Sequence, residues 1–62
     1  MKQYYYDYLK NYLAEHDDPR QNDEGFISDR AEYAASVHEG EAKAGTLAPG
    51  EVAIQVLMRD ID

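Results

Sequence analysis

The chain has 62 residues, with 13 acidic against 6 basic side chains, a formal charge of −7 and no cysteine. A chain this short holds one small domain with a marginal apolar core, and without thiols it has no disulfide or thiolate metal site to brace it. The negative charge repels phosphate backbones and anionic lipid surfaces, so direct nucleic-acid binding and membrane attachment are disfavoured. Neither a signal-peptide core nor a run of about 18 apolar residues is present; the expectation is a soluble cytoplasmic protein.

Taken in chain order, the first predicted element is a helix over about 2–16. Tyr5, Tyr8, Leu9, Tyr12 and Leu13 fall on one arc when plotted at about 100° per residue, with Asp7, Lys10 and Asn11 opposite. Six tyrosines against one phenylalanine and no tryptophan suit a surface that is buried on one side and wet on the other. Tyr5, Tyr8 and Tyr12 are expected to pack their rings on the other helices and keep their hydroxyls in water. Tyr4 borders the arc and Tyr6 lies beyond Leu13, so Tyr4, Tyr6 and Tyr8 form a candidate partner-binding edge.

The polar, proline-containing run HDDPRQND (16–23) reads as a loop. Asn22 or Asp23 then caps a second predicted helix over about 23–44. Its apolar face carries Phe26, Ile27, Ala31, Ala34, Ala35, Val37, His38 and Ala42, and its alanines imply close approach by neighbouring helices. Gly40 weakens its last turns by roughly 1 kcal/mol, so fraying is expected there. Arg30 projects within this arc, where it requires a carboxylate or an aromatic partner; an acid across the bundle or a tyrosine of the first helix is expected to serve. His38, mid-face, reads as a core or half-buried histidine with one hydrogen bond.

Gly45 stands where a left-handed C-terminal cap belongs, with Leu47 as its expected apolar contact. Thr46 or Ala48 opens the third predicted helix, over about 47–60, and Pro49 fits its first turn. Val52, Ala53, Ile54, Val56, Leu57, Met58 and Ile61 cover far more than the usual stripe of about 100°, leaving Glu51, Gln55 and Arg59 as a polar strip. The reading is that this helix supplies most of the core and buries surface against another chain, with Val52, Val56, Met58 and Ile61 as candidate interface residues.

Catalytic and metal motifs are weak. His38-Glu39 starts a zinc-protease HExxH, but Ala42 stands where the second histidine belongs. His16, Asp17 and Asp18 lack the spaced oxygens and glycine turn of a calcium loop; His16 reads instead as the end of the first helix, where a positive ring suits the dipole. Ser28 and Ser36 have no histidine at a suggestive separation. A chain this small is not expected to wrap a pocket of a few hundred Å³. No enzyme activity, cofactor, metal or small-molecule substrate is therefore expected.

The segment from Phe26 onward carries Phe26-Ile27, Arg30-Ala31, alanines near position 34, Glu41-Ala42, Gly45 and the run Val56-Leu57-Met58. Tyr8-Leu9, Leu13, Pro19 and Asn22-Asp23 precede it. In this spacing the chain resembles a family of small all-helical bacterial proteins of unknown function, found in gut-bacterial genomes and their mobile elements. The resemblance implies an all-helical fold and no established activity. Longer members continue past the third helix, whereas this sequence stops at Asp62, which would leave that helix open.

The expectation is thus an all-α, single-domain three-helix bundle over residues 1–62. It would act as a non-catalytic interaction module, as a homodimer or on a protein partner. The alternative is an acidic nucleic-acid mimic that occupies the basic groove of a nucleic-acid enzyme.

Overall fold

Three amphipathic segments become three α-helices in the computed structural model, which describes residues 1–61: α1 (Lys2–Glu15), α2 (Glu24–Lys43) and α3 (Pro49–Leu57). A short 3-10 turn over Pro19–Asn22 joins α1 to α2. The all-α three-helix bundle is therefore the observed fold; Asp62, the last residue of the expected domain, lies outside the described residues.

Each helix contributes one narrow row to the core. Tyr5, Leu9 and Leu13 come from α1, Ile27, Ala31 and Ala34 from α2, and Ala53 and Leu57 from α3, with Ile61 just beyond. Spacings of three and four residues stack these side chains on one face of each helix. The helix α2 packs along both others, while α1 and α3 meet little. That corrects the reading of the third helix as the main source of core: α2 is central, and the small Ala31 and Ala34 let its neighbours approach.

Both long helices end in the same way. The N–H of Asp18 donates to the Leu13 carbonyl and that of Asp17 to Ala14, while Asp17 takes a left-handed φ of 53°. At the end of α2, Thr46 N–H donates to Glu41 and Gly45 N–H to Ala42, with Gly45 at φ 83°. These are two Schellman caps, each with its left-handed residue one past the cap. The Gly45 cap is as expected, but its apolar contact is not: Leu47 is 102% exposed. Asp23 caps α2 through Oδ1, which accepts from the Phe26 N–H at 3.1 Å. Despite Gly40, α2 runs unbroken to Lys43.

The third helix is shorter than expected, Pro49–Leu57 instead of 47–60. Arg30 explains the stop. Its Nη1 donates to the Leu57 carbonyl at 3.0 Å and to the Arg59 carbonyl at 2.7 Å, taking an acceptor that the next helical turn would use. The Ile61 N–H turns back to Met58 instead, Asp60 adopts φ 61°, and Ile61 folds inward. Ile61, expected on an open interface, is thus 7% exposed and part of the core. Arg20 reinforces the same end by donating from Nη2 to the Ile61 carbonyl at 2.9 Å. Both guanidinium groups flank the Phe26 ring, at 5.8 and 5.2 Å from its centroid. Arg30 therefore serves backbone carbonyls and Phe26, not the acid or first-helix tyrosine expected of it. Among the described residues, no helix is long and apolar enough to cross a membrane.

Candidate functional site

Because α1 and α3 each lean on α2 and meet little, their N-terminal turns leave a cleft between them. Met1, Tyr4 and Tyr5 form one wall, Gly50, Glu51 and Ile54 the other, and His38 of α2 contributes from the third side. Its volume is about 450 Å³, within the range of ligand-sized clefts. The expectation that so short a chain could not form such a space is corrected here. The physical reason is splay: three helices cover one another where all three pack, and the ends of two of them diverge over the third.

Local rules place each lining residue. Tyr5 starts the 5/9/13 core row, so its ring is buried, while Tyr4, one residue earlier and rotated by about 100°, points outward and is 61% exposed. The two rings stand at 90° with centroids 5.1 Å apart, an edge-to-face pair. Pro49 at the first position of α3 puts Gly50 and Glu51 in its opening turn. Gly50 brings no side chain into the cleft. A Cβ built there would lie 3.8 Å from the Tyr5 hydroxyl and 3.9 Å from His38 Cε1, in ordinary contact.

The polar centre is the pair Tyr5 Oη and His38 Nδ1, 2.6 Å apart. With the phenol donating to Nδ1, the imidazole carries its own proton on Nε2. Burial, and then the neighbouring Tyr4, push the Tyr5 pKa above its usual value. A raised pKa disfavours the phenolate, which is opposite to what a nucleophile or base at this position would need. The pair thus satisfies two polar groups and anchors α1 to α2. His38 is half-buried with this hydrogen bond, as expected. Among the described residues, no group of three His, Cys, Asp or Glu side chains is placed to hold a metal ion.

A second, smaller groove of about 290 Å³ lies on α1, lined by Tyr8, Asn11, Tyr12 and Glu15. Tyr12 stacks on His16 at 4.0 Å between centroids, and His16 Nδ1 lies 2.9 Å from the Tyr12 carbonyl.

The candidate interface residues separate into distinct places. Tyr4 is at the mouth of the main cleft, and Tyr8, expected to bury its ring, is exposed on the second groove. Tyr6 instead packs against the core. Val52 and Val56 on α3 and Met58, its C-cap, are half-buried and line neither space. Met1, Gly50, Glu51 and Ile54 were not singled out from sequence as site residues. The available signals were Ile54 on the broad apolar arc and Glu51 on the polar strip of the third helix; what brings them together with Met1 and Tyr4 is the packing of α1 and α3 on α2.

Comparison of this chain with protein-family models, characterised proteins and solved structures finds no match in any of the three.

Proposed function

We propose that this chain is a non-catalytic protein-interaction module that docks a segment of a partner protein into the cleft between α1 and α3. The observation that carries the reading is the cleft itself: a mainly apolar space of about 450 Å³ with Met1 and Tyr4 projecting at its mouth, 56% and 61% exposed. Tyrosine is enriched among residues that anchor interfaces, because it offers a large rigid surface and a polar tip. The one polar pair within the cleft is already mutually hydrogen-bonded, so an apolar occupant would leave neither group without a partner. The charge of −7 opposes docking of a second copy at low ionic strength and favours a partner of opposite sign.

The test is selection of peptides from a random displayed library on the immobilised chain, followed by amide chemical-shift mapping of the winners. Shifts concentrated at Tyr4, Gly50, Glu51 and Ile54 are expected. Tyr4→Ser should keep the helical circular dichroism and weaken binding by about tenfold or more, the scale of an interface anchor. Shifts confined to Val52, Val56 and Met58, or unchanged binding by Tyr4→Ser, would overturn the location.

A further inference from the structure

We infer that the cleft selects an arginine side chain as the anchor of the docked segment, an inference that rests on the docking reading above. Three observations converge. The first is an open aromatic wall: Tyr4 lines the cleft and is 61% exposed, while the Tyr5 ring, edge-to-face with it at 5.1 Å between centroids, is 2% exposed and supports it from the core. An exposed tyrosine ring offers a cation its electron-rich face.

The second is a negative group on the opposite wall. Glu51 lines the same cleft and is exposed. Among the described residues its carboxylate takes no part in the chain's ion pairs, which are Lys2 with Glu32 and Arg20 with Asp18. The third is the absence of any competing demand within the cleft, because the Tyr5 hydroxyl is already bound to His38 Nδ1. A ligand is therefore recognised by the Tyr4 ring and the Glu51 carboxylate, with apolar contact from Ile54 and Met1 along its stem.

A guanidinium meets these demands better than an ammonium. It is planar and weakly hydrated, stacks on an aromatic face, and still directs a fork of N–H donors at a carboxylate. Its three-carbon stem lies comfortably along apolar walls. Arg30 shows the same stacking within the chain, 5.2 Å from the Phe26 centroid. The charge of −7 draws such a segment toward the surface and makes its capture dependent on salt.

The experiment titrates the full chain with acetyl-Leu-Arg-Leu-amide, and separately with the citrulline analogue, which keeps the shape and removes the charge. Readouts are the Tyr4 ring resonances and the Gly50 and Glu51 amides. Saturable shifts are expected with the arginine peptide at an affinity about tenfold above that of the citrulline peptide. Glu51→Gln and Tyr4→Ala, both at exposed positions, should each erode that preference several-fold, whereas Tyr4→Phe and the distant exposed Tyr33→Ala should preserve it. Equal binding of the two peptides at the cleft would overturn the arginine anchor and leave the docking reading standing. Shifts of neither peptide at the cleft residues, or full preference retained in Glu51→Gln, would likewise overturn it; the peptide selection above then decides the docking reading by itself.

Discussion

Arg30 shows how much one side chain decides in a chain of this size. It holds two carbonyls at the end of α3, those of Leu57 and Arg59, and a charge-assisted hydrogen bond is stronger than a neutral one. Arg30→Ala should destabilise the fold by about 1.5–3 kcal/mol, read from urea denaturation; a loss below about 0.5 kcal/mol would show that water replaces the guanidinium there. Asp18 acts at the same end. Its carboxyl accepts from the Arg20 side chain and from the Arg20 backbone N–H, which lower its pKa to about 2. A carboxylate whose folded pKa lies below its unfolded value stabilises above that unfolded value, and the contribution is lost as pH falls through the folded one. Acid titration of the melting temperature should therefore show an increment lost from about pH 4 down to about pH 2. Asp18→Asn should remove that increment and leave the neutral-pH slope unchanged. Tyr5 titrates with the opposite sense: its raised pKa keeps the neutral phenol in the fold, so stability falls as pH rises through and above about 10. Tyr5→Phe should flatten that alkaline limb.

How each helix stops separates α3 from the other two. Two Schellman caps use different residues at the left-handed position, Asp17 at φ 53° and Gly45 at φ 83°. Glycine takes this conformation without a Cβ penalty, while other residues are strained in it. Gly45→Ala should lower stability by about 1 kcal/mol and Asp17→Gly should raise it by a few tenths to about 1 kcal/mol, both measured by thermal melts. Opposite signs at the two ends would confirm that the caps, not the side chains, set the effect. The third helix ends under tertiary control, because Arg30 removes its next acceptor; Arg30→Ala should accordingly extend helicity toward Ile61, detectable in carbon chemical shifts.

For the molecule as a whole, the central position of α2 has two consequences. It joins every core row, so a charge at Leu57, which meets that core at 0% exposure, should abolish cooperative melting; Leu57→Asp is the variant, and retention of a sharp transition would refute the core assignment. It also holds α1 and α3 apart at one end, which is what opens the cleft. With a charge of −7, sedimentation equilibrium at low salt should report a monomer. A dimer under those conditions would return weight to the half-buried α3 face as a self-association surface.

Much of this fold was readable along the chain because the signals are local. The α1 arc that holds Tyr5, Leu9 and Leu13 together with Tyr8 and Tyr12, the alanines of α2, a cap at Asn22 or Asp23 and Gly45 as a left-handed residue each announce themselves within a few neighbours, through helical periodicity and the sterics of φ. Tyr4 at an exposed edge and His38 with a single hydrogen bond followed from the same arcs. The length of α3, the burial of Ile61, the exposure of Leu47 and the partners of Arg20 and Arg30 did not. Leu47 aside, the determinants are backbone carbonyls 27 to 41 residues away from the guanidinium groups they accept from, and every residue presents the same carbonyl, so no residue type or spacing marks which one a guanidinium will reach. The cleft is of the same kind: Glu51 is one more charge on a polar strip until the packing of α1 and α3 on α2 sets it in one cleft with Tyr4.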